Sequence, residues 1–352
     1  MNISGKTVLV TGAAGFIGFY LSKYLLEQGS SVKVVGFDSV NDYYDVSLKE
    51  ERLRILGETA GREDTGAFVF VKGNLADKAL MESVFKEHQP EIVVNLAAQA
   101  GVRYSITNPE AYIEANIIGF FHILEACRHS QEWYSGGVKH LIYASSSSVY
   151  GSNNKVPYSI DDKVDHPVSL YAATKKSDEL LAYSYGKLYG IPMTGLRFFT
   201  VYGPLGRPDM AYFSFTNKLV NGEKIKIFNY GDMYRDFTYI DDIIKGVASV
   251  MQRIPDEDED GVRYKLYNIG NSRPESLLNF VEILETCLLE EGIIKKRGER
   301  ELLPMQQGDV YQTYADVSAL EEDFGIRPET SLKEGLSRYA KWYKEFYGDE
   351  KS

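Results

Sequence analysis

Two short segments in the middle of the chain carry residue types that could move a proton. The first is the serine run in YASSSSVYG, from Tyr143 to Gly151, and the second is YAATK, from Tyr171 to Lys175. On a helix, residues four apart lie on one face about one turn from each other, so the Lys175 ammonium would lie beside the Tyr171 phenol. That charge favours the phenolate, and a group that ordinarily ionises near a pH of about 10 could then accept a proton near neutrality. Tyr171 is therefore a candidate base, and Lys175 is the residue that would activate it.

The serine run is predicted to end a buried strand and to supply hydroxyl groups to the same reaction. Ser146 and Ser148 would point to the same face of that strand, so either hydroxyl could orient or relay a proton for the base. The residues alone do not choose between them. Both segments also have a simpler interpretation, because Tyr and Lys recur four apart by chance in many helices and serine runs are commonly loops.

The N-terminal segment has the pattern of a dinucleotide-binding loop. An apolar run from Thr7 to Val10 predicts a buried parallel strand, and an amphipathic helical pattern follows the loop. Glycines spaced three apart between the two elements would let the backbone approach a pyrophosphate, whose charge is met by amides at the helix N-terminus. The residues predicted to contact the dinucleotide here are Gly12, Gly15, Phe16, Ile17 and Gly18.

The next predicted strand, VKVVGFD, ends in a carboxylate that bears on the choice of cofactor. Asp38 lies about 20 residues beyond Gly18, which is the separation expected for a residue that binds the ribose of a dinucleotide. A carboxylate there can accept hydrogen bonds from the ribose diol and would repel a 2′-phosphate. NAD is therefore predicted in preference to NADP.

Together, GAAGFIG, the serine run and YAATK resemble the extended short-chain dehydrogenase/reductase superfamily, and specifically its nucleotide-sugar epimerases. The resemblance covers essentially the whole chain. It implies an α/β fold with a Rossmann-type doubly wound parallel sheet and a smaller C-terminal α/β substrate lobe. We predict that residues 1–199 with 236–271 form the NAD-binding domain, and that residues 200–235 with 272–352 form the lobe that binds a UDP-sugar.

The resemblance also places several residues between Asp38 and the serine run around the cofactor. Asn74 stands where related epimerases usually carry an Asp that contacts the adenine amino group, and its amide oxygen can still accept a hydrogen bond. Ala97 and Ala98 would end a strand, where small side chains allow close approach of a cofactor; packing against a helix is the competing explanation, and the resemblance favours the cofactor. Asn116 either bridges buried backbone or braces the active site. The cofactor-side predictions in this part of the chain are Asn41, Asn74, Leu75, Ala97, Ala98, Gln99 and Asn116.

A later segment indicates which sugar the protein would bind. GPLGRPDMA, from Gly203 to Ala211, resembles a segment characteristic of UDP-glucuronate 4-epimerases. Arg207 carries a planar fork suited to bidentate binding of a carboxylate, and Thr200 could add a hydroxyl to it. The alternative is a surface turn rich in Gly and Pro with a solvated Arg.

Another segment, GDMYRDFTYIDD, resembles the segment with which members of the family bind the diphosphate. Arg235 could bridge two oxygens of the UDP pyrophosphate, and pairing with Asp232 or Asp236 is the alternative. Asp241 and Asp242 would begin a helix, where carboxylates suit the positive end of the dipole. The other residues that we predict around the substrate are Arg103, Ser147 and Asp309.

The serine run also separates reaction types. Dehydratases and decarboxylases that resemble this chain typically carry a carboxylate just before VYG, where this chain has Ser146, Ser147 and Ser148. Without that acid the resemblance implies reversible C4 epimerisation of UDP-glucuronate to UDP-galacturonate through a 4-keto intermediate and transient NADH. A 4-keto glucuronate is a β-keto acid that readily loses carbon dioxide, so Arg207 and Thr200 are predicted to suppress decarboxylation by holding the carboxylate. The alternatives are a 4-epimerase of UDP-glucose or UDP-N-acetylhexosamine, and a non-catalytic NAD-binding regulator.

Composition argues against several other classes of protein. The chain has 352 residues and a net charge of −11, which does not suit an extended nucleic-acid surface. Two cysteines do not make a disulfide framework, and we find no apolar run of membrane-spanning length and no signal-peptide pattern. We therefore predict a soluble cytoplasmic enzyme with no metal site. The resemblance suggests a homodimer through helices in the 95–125 and 171–190 regions, whose apolar faces could equally be core.

Overall fold

The protein is described from a computed structural model that covers residues 3–29, 31–305 and 311–348. Strands and helices alternate along its first half. The strands are β1 (Thr7–Thr11), β2 (Lys33–Asp38), β3 (Ala67–Lys72), β4 (Ile92–Asn95), β5 (His140–Ser146), β6 (Met193–Phe198), β7 (Thr200–Tyr202), β8 (Ile225–Ile227), β9 (Tyr234–Tyr239), β10 (Tyr264–Ile269), β11 (Pro274–Ser276), β12 (Arg300–Leu302) and β13 (Gln312–Thr313).

The helices vary widely in length. They are α1 (Phe16–Leu26), α2 (Val46–Ala60), α3 (Lys78–His88), α4 (Tyr104–Thr107), α5 (Pro109–Tyr112), α6 (Gly119–Trp133), α7 (Leu170–Tyr189), α8 (Ala211–Val220), α9 (Ile240–Val250), α10 (Leu277–Glu290), α11 (Ser318–Phe324) and α12 (Leu332–Tyr347). A π-helical segment, Ile113–Ile118, joins α5 to α6, and short 3-10 turns follow β5 and β8.

A parallel sheet of seven strands in the order β10-β6-β5-β4-β1-β2-β3 forms the centre of the molecule. Helices cover both faces of it. Val8 and Val10 of β1 pack in one apolar cluster with α1, α2 and α9, whereas Leu9 packs in another with α3 and α6. Burial on both faces explains why β1 is a nearly continuous apolar run. The predicted Rossmann-type fold is confirmed, and six of the strands follow the doubly wound order 3-2-1-4-5-6.

Helix α7 begins and ends where its sequence predicts. The Ser169 hydroxyl caps the first turn by accepting a hydrogen bond from Ala172 N–H at 3.1 Å. Gly190 ends the helix in the left-handed conformation with φ 67°, which glycine adopts without the penalty of a Cβ. The cap places residue 171 in the first turn of the helix, beside the carboxyl end of β5.

The smaller lobe is built around β9. This strand pairs with β7, β11 and β13, while β8 and β12 form a separate pair. Phe237 of β9 stacks on Phe280 of α10, with ring centroids 4.4 Å apart. Strand β9 crosses the predicted boundary between residues 235 and 236, and the division into two domains remains a prediction.

None of the helices in the described ranges combines the length and the apolar character needed to cross a bilayer. Cys127 and Cys287 are both free and buried, so they form no disulfide with each other.

Candidate active site

The glycine-rich loop lies at the edge of the sheet where the parallel strands end. Gly12 has φ +73°, and a Cβ there would lie 2.8 Å from the Ala97 backbone nitrogen at the end of β4. A Cβ on Gly18 would lie only 2.0 Å from the Gly12 carbonyl oxygen. Both positions therefore require glycine, because any larger residue would push the loop away from β4 and from its own helix.

A carboxylate and a helix N-terminus lie together beside this loop. Asp38 at the end of β2 accepts hydrogen bonds from Ala14 N–H at 3.0 Å and from Val40 N–H at 2.8 Å. Helix α1 follows Gly15, and no described side chain caps its first turn. The free amides there would meet a pyrophosphate, and the remaining lone pairs of Asp38 would meet a ribose diol. These residues fit a dinucleotide.

The other residues predicted to contact the cofactor lie around the same edge with differing exposure. Asn41 and Asn74 are exposed, Phe16 and Leu75 are buried, and Ile17, Ala97 and Ala98 are intermediate. The Asn74 amide oxygen already accepts a hydrogen bond from Ala76 N–H at 3.0 Å, so adenine would have to share it.

Asn116 links the end of β4 to helix α7. It is 1% exposed and lies in the π-helical segment, a distortion that is frequent at functional sites. Its amide donates to the Gln99 carbonyl and the Thr174 hydroxyl, both at 3.0 Å, and accepts from Gln99 N–H at 2.8 Å. Asn116 therefore fixes the spacing between the loop after β4 and the first turns of α7.

Tyr171 and Lys175 lie on α7 beside the end of β5. The Lys175 ammonium donates to the Ala144 carbonyl at 2.9 Å and to Asp178 at 3.1 Å. Tyr171 is half-buried, and its ring meets the Tyr112 ring edge-on with centroids 6.0 Å apart. The structure thus brings the predicted base and its cation to the edge of the sheet that carries the glycine-rich loop.

The prediction that Ser146 and Ser148 share one face of a strand is wrong. Strand β5 ends at Ser146, and Ser147–Tyr150 form a 3-10 turn. The Ser146 hydroxyl caps that turn by accepting a hydrogen bond from Ser148 N–H at 3.2 Å. The turn still places the two hydroxyl groups 3.0 Å apart, so both serines remain candidates, and Ser147 is half-buried between them.

Sequence reasoning missed the buried ion pair that supports these residues. Glu179 of α7 accepts two hydrogen bonds from Arg197 of β6, at 2.8 and 2.9 Å, and one from Ser145 at 2.7 Å. Burial alone would raise the pKa of Glu179, but the Arg197 guanidinium outweighs that effect and holds the pKa below its usual value. The only signal in the sequence was the position of Glu179 four residues after Lys175, which helical spacing places on the same face.

Arg207 is paired with an acid and is partly buried, with 23% of its side chain exposed. Its guanidinium donates to the Asp209 carboxylate at 2.5 and 3.0 Å, and the Tyr43 hydroxyl donates to the same carboxylate at 3.3 Å. Desolvation would lower the pKa of Arg207, but Asp209 raises it above its usual value, and Tyr43 and Tyr171 add to that effect. The guanidinium is therefore within electrostatic range of the candidate base.

The loop that carries Arg207 is anchored to the half of the molecule that contains the glycine-rich loop. Arg52 of α2 is fully buried and donates to the carbonyls of Leu205 and Gly206 and to the Ala14 carbonyl at 2.7 Å. Leu205 has φ 49°, a left-handed conformation that a bulky residue rarely adopts. The Arg52 hydrogen bonds hold this strained turn, and sequence reasoning did not find Arg52.

The remaining predicted substrate residues are spread along the cleft. Thr200 is half-buried at the start of β7. Arg103 lies over the Phe228 ring, 5.3 Å from its centroid, and so reaches across to the smaller lobe. Arg235 donates to the carbonyls of Tyr234 and Tyr311. Asp309 lies outside the described residues.

The carboxylates at the start of α9 have different surroundings. Asp241 lies in the first turn, as predicted. Asp242 is 4% exposed and accepts hydrogen bonds from the backbone amides of Glu329 and Thr330. Its oxygen therefore anchors the segment before α12, in addition to lying at the favourable end of the helix dipole.

Comparison with known proteins bears on this site. A profile of the NAD dependent epimerase/dehydratase family matches residues 8–270. Protein CapI of Staphylococcus aureus is 48% identical over 351 residues, which cover 97% of this chain and 99% of that protein. A probable UDP-glucuronate 4-epimerase of Rhizobium meliloti is 42% identical over 352 residues, or 96% of this chain and 97% of that protein.

A solved structure is similar over nearly the same length. It is the UDP-glucuronic acid 4-epimerase of Bacillus cereus in complex with UDP-glucuronic acid and NAD. The TM-score is 0.83 at 32% identity, and the match covers 97% of this chain and 100% of that one.

The arrangement around Asp38 predicts the effect of removing its charge. We expect Asp38→Asn to weaken NAD binding by about 10–100-fold, because a hydrogen bond to a charged group contributes about 1.5–3 kcal/mol. NAD affinity of the cofactor-free protein is measured by calorimetry, with Asp42→Asn as the control because Asp42 is nearby and exposed. Equal affinity of the two variants would contradict the assignment of Asp38 to the ribose.

Proposed function

The chain belongs to the NAD dependent epimerase/dehydratase family, and we propose that it interconverts UDP-glucuronate and UDP-galacturonate by epimerisation at C4. The observation that carries this proposal is the position of Tyr171 and Lys175. Both lie at the edge of the sheet that holds the glycine-rich loop, with the Arg207 guanidinium within electrostatic range. These positions support a base, a dinucleotide site and a cation for the sugar acid that act together.

Each chain residue has a definite task in the proposed reaction. Tyr171 takes the proton from the 4-hydroxyl, and the Lys175 ammonium stabilises the phenolate that does so. Ser146 or Ser148 donates a hydrogen bond that orients the reacting oxygen. Bound NAD supplies reversible hydride transfer at C4. Tyr171 would keep the proton while the 4-keto sugar exposes its other face, and would then return it to the 4-oxygen, so that the residue ends in its starting state.

The Arg207 loop explains how a sugar acid could pass through this reaction intact. Oxidation at C4 makes a ketone β to the C6 carboxylate, and loss of carbon dioxide requires the breaking bond to align with the carbonyl π-system. Arg207 already binds Asp209 through Nε and one amino group, so its remaining N–H groups, together with the Thr200 hydroxyl, would fix the carboxylate away from that alignment and keep its charge. We propose that this is how decarboxylation is suppressed.

Residues further along the cleft would bind the rest of the UDP-sugar. Arg235 and Arg103 are the proposed ligands of the diphosphate, since both are cations at the boundary between the large sheet and the smaller lobe. Ser147 is proposed to contact the sugar, and Asp309 the nucleotide.

A homodimer is part of the proposal because helices α6 and α7 leave an apolar face uncovered. Leu180 and Leu188 lie two turns apart on α7 and are 61% and 66% exposed. An exposed apolar face on adjacent helices suits burial against a second copy of the same face. Ile113 and Ile118 of the π-helical segment and Phe121 of α6 are also exposed, on elements that pack against α7, and Tyr189 is exposed at the end of α7 itself.

We also propose that the enzyme works in the cytoplasm. Cys127 and Cys287 are free and packed in the core. A chain that relies on its core and has no disulfide between its cysteines suits a compartment in which thiols are kept reduced.

The function is tested by incubating the purified protein with UDP-glucuronate, without added cofactor, and following the sugar by proton NMR. Appearance of UDP-galacturonate would support both the epimerisation and a retained NAD. UDP-pentose in its place would mean that the carboxylate is not protected. If UDP-glucuronate is not converted, UDP-glucose and UDP-N-acetylhexosamine become the favoured substrates.

The base is tested in the same assay with Tyr171→Phe. We expect kcat to fall by about 10²–10⁴-fold, the usual contribution of general base catalysis, while NAD remains bound. Tyr183→Phe is the matched control, because Tyr183 lies on the same helix and its hydroxyl binds Asp258 and Asp260 at the surface. A Tyr171→Phe enzyme with substantial residual turnover would overturn the assignment.

The carboxylate site is tested with Arg207→Ala. We expect KM for UDP-glucuronate to rise by about 10–100-fold, because hydrogen bonds to a charged group are lost, and UDP-pentose to appear among the products. Arg54→Ala is the control, since Arg54 also pairs with carboxylates but is exposed on α2. An Arg207→Ala enzyme that bound UDP-glucuronate normally and released no UDP-pentose would refute this role.

The dimer is tested by mass photometry. We expect the wild-type chain to have twice the mass of one chain, and Leu180→Glu with Leu188→Glu to halve it, because two carboxylates would be buried in the interface. Leu302→Glu is the control, since Leu302 is 51% exposed on β12, far along the chain from this face. A monomeric wild type, or a dimer that survives both changes, would reject the proposed interface.

A further inference from the structure

Helix α7 carries a buried carboxylate that has no task in the mechanism above. Asp178 is 1% exposed and lies one turn beyond Lys175, which is 3% exposed. Oxygen Oδ2 of Asp178 is 3.1 Å from the Lys175 ammonium. Oxygen Oδ1 is also buried, and among the described residues it has no hydrogen-bond partner. A buried carboxylate with one unmatched oxygen is costly to keep, so its position calls for an explanation.

The neighbours of Asp178 show that it is directed at Lys175. The next residue, Glu179, instead accepts hydrogen bonds from Arg197 of β6, Ser145 and Lys176. The charged and titratable groups that face Asp178 are Lys175 and Glu179 of its own helix and Tyr143 of β5, whose hydroxyl meets that of Tyr264 of β10. Lys175 is thus the cation with which Asp178 forms its ion pair.

The Lys175 ammonium has three N–H groups, and two of them are used within the protein. The Ala144 carbonyl accepts one and Asp178 accepts the second. These two hydrogen bonds join the ammonium to β5 and to the next turn of α7, so they limit its movement and leave its third N–H for a bound ligand.

We infer that Asp178 is a positioning residue, which holds the Lys175 ammonium and whose own charge sets how strongly that ammonium favours the Tyr171 phenolate. This inference rests on the proposed roles of Tyr171 and Lys175. An ionised Asp178 cancels part of the positive field at the phenol, and a protonated Asp178 leaves that field whole.

The charge of Asp178 changes in the range where the enzyme would work. Burial raises the pKa of its carboxyl to about 7, although the Lys175 ammonium opposes this rise. As the pH falls through that value, Asp178 takes up a proton, and the stronger field of Lys175 then resists protonation of Tyr171. The loss of activity toward acid pH is therefore expected to be more gradual than for a single titrating base.

The test is the pH profile of kcat/KM for Asp178→Asn. The amide has the size of the carboxyl and can still accept a hydrogen bond from Lys175, but it carries no charge at any pH. We expect the acid limb to steepen and to move to lower pH by about 0.5–1 unit, with KM for the UDP-sugar unchanged within about twofold. Asp165→Asn is the control, because Asp165 is an exposed acid in the segment before α7.

A second measurement follows the phenol directly. Tyrosinate absorbance is titrated in the wild type and in Asp178→Asn, and the same curves with Tyr171→Phe added are subtracted to isolate Tyr171. A lower midpoint in Asp178→Asn supports the inference. Asp178→Ser, which removes the charge with a smaller side chain, is expected to shift the midpoint in the same direction and serves if the Asn variant folds poorly.

The outcomes separate this inference from the proposed function. If Tyr171→Phe is inactive while both Asp178 variants titrate and turn over like the wild type, the role of Asp178 is rejected and the epimerase proposal stands. If Tyr171→Phe keeps its activity, the base has been misassigned and the inference falls with it.

Discussion

The placement of the Lys175 ammonium is the interaction on which the site depends. A cation that is 3% exposed is expensive to bury unless its N–H groups are matched. The protein matches two of them with a carbonyl of β5 and a carboxylate on α7, so the cation is held where strand and helix meet. The buried pair of Glu179 and Arg197 ties the same helix to β6. The position of the candidate base therefore follows from the packing of α7 against the sheet.

A second constraint links the cofactor side of the cleft to the substrate side. Arg52 binds the Ala14 carbonyl of the glycine-rich loop and the Leu205 and Gly206 carbonyls that precede Arg207. A guanidinium has five N–H donors in one plane, so it can hold both loops at a set distance. Any shift of the glycine-rich loop would be transmitted to the turn that carries Arg207. The proposed reaction at C4 would require that coordination, because the hydride and the sugar carboxylate would have to be positioned together.

Much of this was predictable because the motifs are local. The strand, the glycine spacing and Asp38 predicted a dinucleotide loop, and the predicted fold and family are both confirmed. Local sequence patterns gave the wrong secondary structure where the side chain of a single residue ended a strand. The strand was expected to continue through Ser148, but the Ser146 hydroxyl caps a turn there. Side-chain capping competes with strand geometry, and a run of four serines does not show where that competition ends.

The sequence by itself determined the family and the candidate residues for its chemistry, since Tyr171, Lys175 and the glycines stand out by residue type and spacing and Arg207 by the resemblance of its segment. Only the tertiary structure decided which groups surround them. Arg52, Asp178 and Arg197 lie far from their partners along the chain or look like ordinary helix and strand charges, and their burial arises only when the elements pack. Burial is a property of the assembled fold. A buried charged group is stable only with a partner of opposite charge or with hydrogen bonds, and burial also shifts the pKa of an ionisable group.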